Sequence, residues 1–197
     1  GGSVRPLPAY GSSMRRDISP ADESERLARL RDQFGCRAFK IRLGTPGGRN
    51  RDAAPGRSEA IIPAVRRAVG PDIELHADAN SCYTPGRAIE VGRMLEDHGV
   101  CHFEEPCPYW QLESTKEVAD ALDVAVTGGE QDCELPTWRR MIGMRAVDVV
   151  QPDVCMLGGL SEAAKALAAV KTMDVAVAPH TPFVGPAALA SLHLIAS

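Results

Sequence analysis

The chain has 197 residues with a formal net charge of −4, and it is 44% apolar and 24% charged, as expected for a globular domain with a substantial core. The slight negative charge argues against nucleic acid and anionic membranes as partners, because both select basic patches. No apolar run approaches the roughly 18–20 residues that span a bilayer, so no membrane segment is predicted.

The first predicted strand covers residues 4–10, although two prolines interrupt it and favour an irregular or edge segment. A helix over residues 20–34 follows a loop that carries two arginines. Ser19 is a suitable N-cap, Pro20 suits the first helical position and Gly35 is a typical stop signal. The loop arginines could contact an acidic substrate, but arginines in loops are usually solvated.

The second predicted strand, residues 38–43, alternates so that Lys40 and Arg42 share one face. The outer face of a barrel strand packs on helices and is apolar, so we expect both cations to point into the interior, where they need anionic partners. The following loop, residues 44–57, is rich in Gly, Pro and Arg and longer than a typical βα loop. It is either a substrate-facing loop or a solvated insertion.

From residue 58 onward, strands and helices alternate regularly. The remaining predicted strands are residues 74–77, 102–104, 125–127, 147–150 and 175–178, and the helices are 58–69, 85–98, 112–122, 135–142, 161–173 and one from about 186. Alternation of this kind predicts an α/β protein with a parallel sheet. An eight-stranded (β/α)₈ TIM barrel typically has about 250 residues, so about seven βα units here predict a partial barrel from a longer protein. A doubly wound open sheet is the competing architecture, although it usually gathers its site at one switch point.

Polar side chains end five successive predicted strands. Asp78, Glu104 and Glu130 stand 26 residues apart, and Asp153 and His180 end the next two strands. Side chains at the carboxyl ends of neighbouring parallel strands converge on one face, so we expect all five to surround one cavity.

The three acids offer only oxygen ligands, which suit a hard divalent cation and Mg²⁺ above all. His180 is a natural general acid/base, and Asp153 could orient its imidazole. Lys40 would lie across the barrel from His180, as an acid/base, as a partner for a substrate carboxylate or only as a counter-charge to the acids. No role is predicted for the other histidines.

The start of the chain lacks the regions of a secretory signal peptide, and the six cysteines contain no C-x-x-C pair. We therefore expect reduced thiols in a cytoplasmic protein rather than a disulfide framework.

Six motifs resemble the enolase superfamily, specifically its mandelate racemase/muconate lactonizing family and the His–Asp branch of racemases and acid-sugar dehydratases. The resemblance covers the chain from about residue 4 to the end. The motifs are Lys40-x-Arg42, Asp78-x-Asn80 in HADAN, Glu104 in FEEP, Glu130 in GGEQD, Asp153 in QPDVCMLGG and His180 in APH.

The resemblance implies that the three acids bind Mg²⁺, which holds a substrate carboxylate while an enediolate forms. It implies that the Lys40–Arg42 pair and the His180–Asp153 dyad are the catalytic groups on opposite faces of the α-carbon. Asn80 and Arg42 are also substrate-binding candidates. It also implies a homo-oligomer. Residues 1–197 would be a partial catalytic barrel, without the family's N-terminal capping domain and last barrel strand.

The sequence departs from the family pattern at Arg42, where lysine is usual. Arginine stays protonated in almost any site, which weakens a two-base racemase and suits binding of an oxyanion. The leading hypothesis is dehydration of an acid sugar to a 2-keto-3-deoxy acid, by proton abstraction α to the carboxylate of this small molecule. The alternatives are a racemase or epimerase of a carboxylate substrate, and a metal-binding barrel without catalysis.

Overall fold

The computed structural model describes residues 6–171, 173, 175–181 and 184–196. In this part of the chain, seven short strands alternate with seven helices, as the sequence predicts. The strands are β1 (Gly11–Ser12), β2 (Ala38–Arg42), β3 (Glu74–Asp78), β4 (His102–Glu104), β5 (Ala125–Gly128), β6 (Val149–Val150) and β7 (Ala176–Val177). The helices are α1 (Pro20–Phe34), α2 (Arg57–Val69), α3 (Pro85–Asp97), α4 (Leu112–Ala121), α5 (Leu135–Gly143), α6 (Leu160–Val170) and α7 (Pro186–Ile195).

The chain divides into two compact units. In the N-terminal unit, Pro8–Val126, strands β1 to β4 pair in sequence order, and every pairing is parallel. In the C-terminal unit, which contains Thr127–Ser197, β5 pairs with β6 and β6 with β7, again in parallel. Parallel neighbours need a crossover connection, and a helix fills each of these crossovers. This order is that of a partial (β/α)₈-type fold.

The first prediction for the N-terminus is wrong. Residues 4 and 5 lie outside the described residues, and residues 6–10 form no strand. Pairing begins instead at Gly11, opposite Phe39, and continues with a hydrogen bond from the Ser13 N–H to the Lys40 carbonyl, 2.8 Å long. The prolines cannot donate to a ladder, whereas Gly11 leaves room for the Phe39 ring, which a Cβ at this position would meet at 3.0 Å.

The two faces of the inner strands differ in chemistry. Phe39, Ile41, Leu75, Ala77 and Phe103 are fully buried, so one face is apolar. The opposite face carries the polar and charged side chains, of which Lys40, Arg42, His76, Asp78 and Glu104 are buried. Burying each large apolar side chain contributes about 1.5–3 kcal/mol. Burial of the apolar face therefore helps to offset the cost of removing the charged groups on the opposite face from water.

The core of the C-terminal unit is organised around Trp138 on α5, which is completely buried. Its indole N–H donates to the carbonyl of Asp132 at 2.9 Å, so the chain after β5 is tied to the helix that follows. Gly129, with φ of 104°, lies against Met141 and Trp138 in a conformation that favours glycine. This packing fixes the start of the turn that carries Glu130.

Each described helix is too short or too polar to cross a bilayer.

Helix α1 has the ends that the sequence predicts. Ser19 is its N-cap and accepts a hydrogen bond from the Asp22 N–H at 3.1 Å, and Gly35 ends the helix in a left-handed conformation with φ of 66°.

Replacing Ser19 with alanine removes this acceptor, so we expect S19A to lower the free energy of unfolding by about 0.5–2 kcal/mol. Urea denaturation measures the change, and S19T, which keeps a hydroxyl, is the matched control. Equal stability of S19A and the parent protein would contradict the capping role.

Candidate active site

Asp78 and Glu104 lie at the carboxyl ends of β3 and β4 and are register partners. Register also places Arg42, at the end of β2, opposite Asp78. The exposure of Asp78 is 0% and that of Glu104 is 2%, so both carboxylates are withdrawn from water. Parallel pairing in register is thus what brings the first two predicted metal ligands together.

Two buried cations neutralise these two acids. The Lys40 ammonium forms an ion pair and hydrogen bond with Glu104, and its Nζ lies 3.5 Å from Oδ2 of Asp78. The Arg42 guanidinium pairs with the same Asp78 oxygen. Burying four charges is costly unless they are paired, so this mutual contact is what makes the polar face possible. The prediction that Lys40 and Arg42 face anionic partners is confirmed.

The Arg42 guanidinium also bonds to the loop that follows β1. Its Nε donates to the Ser13 carbonyl at 3.0 Å and its Nη2 to the Ser12 hydroxyl at 3.3 Å, while Nη1 reaches Oδ1 of Asn80 at 3.0 Å. These contacts engage every side of the guanidinium, which therefore fastens β1 and the Asn80 turn around Asp78.

Asn80 lies in a left-handed turn with φ of 42°, and its N–H donates to Oδ1 of Asp78 at 2.8 Å. Its side-chain oxygen accepts from Arg16 at 2.5 Å as well as from Arg42. The backbone of this turn therefore holds Oδ1 of Asp78, and the Asn80 side chain connects the turn to Arg16 and Arg42.

Arg16, one of the two arginines in the loop before α1, is partly buried rather than solvated. Its Nε donates to the Gly44 carbonyl at 2.9 Å, and burial, with Arg42 and Arg57 nearby, lowers its pKa to about 10. Its neighbour Arg15 is the solvated arginine that was expected, and it pairs with Asp17 on the surface. No local sequence signal separates the two, because the distinction depends on contacts with residues that are distant in sequence.

The C-terminal unit holds the second half of the predicted constellation. Nδ1 of His180 lies 2.8 Å from Oδ2 of Asp153, and Nε2 lies 3.1 Å from Oε2 of Glu130. Asp153 and His180 are also joined as an isolated parallel bridge, in which the His180 N–H donates to the Pro152 carbonyl at 3.1 Å. The imidazole is thus held between two carboxylates.

Asp153 is itself held firmly. Its Oδ1 accepts the N–H groups of Cys155 and Met156 at 2.7 and 3.1 Å, in the turn that follows the strand. The other oxygen is left to face the His180 ring. An Nδ1–H donated to Asp153 leaves Nε2 on the side of Glu130, and a carboxylate bonded to Nδ1 in this way is the arrangement that orients a general base.

The predicted residues therefore form two clusters. Lys40, Arg42, Asp78, Asn80 and Glu104 meet in the N-terminal unit, and Glu130, Asp153 and His180 meet in the C-terminal unit. Asp78 and Glu104 belong to one unit and Glu130 to the other. That these three acids bind one metal ion stays a prediction.

Two histidines without a predicted role also lie on the polar face of the N-terminal unit. The rings of His76 on β3 and His102 on β4 stack with centroids 4.3 Å apart, and the ring of Tyr10 lies 5.0 Å from that of His76. Burial, with His76 as a further cause, lowers the pKa of His102.

Comparison with known proteins identifies the family to which this chain belongs. Residues 22–197 match the family model described as enolase C-terminal domain-like, and the chain belongs to this family. It is 33% identical to the arabinonate dehydratase of Saccharolobus solfataricus over 199 residues, covering 100% of the chain and 51% of that protein. The chain thus spans about half the length of the curated relatives that it matches.

Two solved structures show the same fold. A presumed racemase from Roseobacter denitrificans is 58% identical with a TM-score of 0.95, and the match covers 97% of this chain and 52% of that one. A mandelate racemase/muconate lactonizing protein from Paracoccus denitrificans, complexed with magnesium, is 32% identical with a TM-score of 0.91, covering 100% and 54%. The predicted family is confirmed.

The buried Arg42–Asp78 pair and the exposed Arg15–Asp17 pair allow a matched test of charge burial. R42Q removes the cation that pairs directly with the buried Asp78 carboxylate and leaves Lys40 at 3.5 Å, so we expect a loss of about 3–5 kcal/mol in the free energy of unfolding. R15Q breaks a pair in water and should leave the urea midpoint unchanged. Similar, small effects of both substitutions would show that the buried pair does not stabilise the fold.

Proposed function

We propose that this protein is a Mg²⁺-dependent acid-sugar dehydratase, which removes the proton α to a carboxylate and then eliminates the β-hydroxyl to give a 2-keto-3-deoxy acid. The observation that carries the proposal is the His180 imidazole, oriented by Asp153 and facing Glu130. The likeness to an arabinonate dehydratase supports the reaction type and the class of substrate.

Asp78, Glu104 and Glu130 would hold the metal. The donor set fits a hard cation, because all three are carboxylates and each is at most 8% exposed. When bound, Mg²⁺ would stabilise the negative charge that develops on the substrate carboxylate as the proton leaves. The magnesium complex of the Paracoccus denitrificans protein supports this assignment.

His180 is the proposed base. Its Nε2 accepts the α-proton while Nδ1–H remains bonded to Asp153, which stabilises the imidazolium that results. The substrate, now an enediolate, expels its β-hydroxyl, which takes up a proton from imidazolium and leaves as water. The enol product then tautomerises to the 2-keto acid.

Lys40 and Arg42 have different roles in this proposal. Lys40 presents its ammonium beside both Asp78 and Glu104, where it adds positive charge next to the proposed reaction centre. Arg42 bonds to Ser12, Ser13 and Asn80, which makes it a positioning residue for Asp78. Asn80 shares this function, and both remain candidates for contact with substrate.

A racemase or epimerase is the second candidate, favoured by the 58% identity to a presumed racemase. It would need a base on each face of the α-carbon, and Lys40 is then the partner of His180, because Arg42 stays protonated. Exchange of the α-proton for solvent deuterium without release of 2-keto acid would select this reaction over dehydration.

We expect H180N to lower kcat for dehydration by a factor of about 10²–10⁴, since asparagine cannot accept the α-proton. The assay is 2-keto acid release from a panel of hexarate and aldonate sugars. H193N, which changes an exposed histidine on α7, is the matched control and should keep parental activity. Dehydration by H180N at the parental rate would remove His180 from the mechanism.

We expect E104Q to weaken Mg²⁺ binding by roughly 10–100-fold or more, because even groups that only support a metal ligand have effects of this size. Isothermal titration of the metal-stripped protein measures this, with E117Q, on the exposed side of α4, as the control. Equal affinity of E104Q and the parent protein would exclude Glu104 as a ligand. Binding of Mg²⁺ by the parent protein without turnover or exchange of any carboxylate substrate would favour the non-catalytic alternative.

A further inference from the structure

A second group of ligand-type side chains lies on the polar face of the N-terminal unit, near the start of its strands. Glu74 and His76 come from β3, and His102 is the first residue of β4 and the register partner of His76. One ligand atom from each lies within 4.8 Å of the others. Glu74 precedes Asp78 by four residues, which in a strand is about 13 Å, so this group is separate from the proposed magnesium ligands.

We propose that Glu74, His76 and His102 form a binding site for a divalent transition-metal ion such as Zn²⁺. Two imidazoles and one carboxylate are a typical ligand set for zinc, with a water molecule in the fourth position. Imidazole nitrogen favours Zn²⁺, Co²⁺ and Ni²⁺ over Mg²⁺, which prefers oxygen ligands.

The backbone holds these side chains in place. Register pairing sets His76 beside His102, and Nε2 of His76 already lies 2.7 Å from Oε1 of Glu74. The His76 side chain is only 7% exposed and packs against Tyr10, whereas that of Glu74 is 52% exposed. The group is therefore ordered by the strands on one side and open to an incoming ion on the other.

Lys40 is a cation on the same face and the register partner of His76. Its ammonium is directed to Glu104 and lies 5.3 Å from the centre of the Tyr10 ring. At the His102 imidazole, the negative charge of Glu74 opposes the positive charge of Lys40. The competing explanation of the group is a plain hydrogen bond between Glu74 and His76 beside a stacked histidine pair, and this explanation predicts no metal binding.

Titration of the purified, metal-stripped protein with Co²⁺, followed by visible absorption, tests the proposal. A large excess of Mg²⁺ occupies the oxygen-ligand site during the titration. We expect one equivalent of Co²⁺ to bind with the spectrum of nitrogen and oxygen ligation. A thiolate charge-transfer band would instead assign binding to a cysteine such as the exposed Cys101, and it would overturn the proposal, as would absence of binding.

The variants H102Q and E74Q should each weaken Co²⁺ binding by at least about 10-fold, because each removes a direct ligand. H193Q changes an exposed histidine on α7 and should bind like the parent protein. E74Q changes a half-exposed side chain, so it decides the question if H102Q does not fold. Parental affinity in E74Q and in a folded H102Q would overturn the proposal.

Discussion

The stability of the polar face of β2 to β4 depends on the mutual neutralisation of buried charges. Lys40 and Arg42 supply two positive charges, Asp78 and Glu104 supply two negative ones, and all four side chains are buried. Parallel register puts the cations of one strand next to the acids of the next two, so each charge meets its partner without distortion of the sheet. A carboxylate could not remain ionised here without such a partner.

This neutrality bears on the proposed function. Lys40 and Arg42 already balance the charges of Asp78 and Glu104. The proposed Mg²⁺ ion would therefore bring two positive charges to a neutral group. A substrate carboxylate would offset part of that charge, whereas a neutral sugar would not.

The sequence predicts those features that follow from local pattern or from the regular spacing of successive strands. Strand and helix order, the caps of α1 and the His180–Asp153 contact all follow from local pattern and spacing. The predicted position of the first strand was wrong, because the observed position depends on the fit of Gly11 against the Phe39 ring. The difference between Arg15 and Arg16 likewise depends on a partner, Asn80, that is 64 residues away from Arg16 in the chain.

Strand β3 shows why register matters as much as residue type. Glu74, His76 and Asp78 alternate along one face, so a single strand presents a carboxylate and an imidazole at one end and a carboxylate at the other. The neighbour decides what each end can bind: β4 adds His102 beside His76 and Glu104 beside Asp78. One end thus has mixed nitrogen and oxygen ligands and the other has only oxygen, and the preferences of divalent ions for these ligands would keep two sites on the same strand distinct.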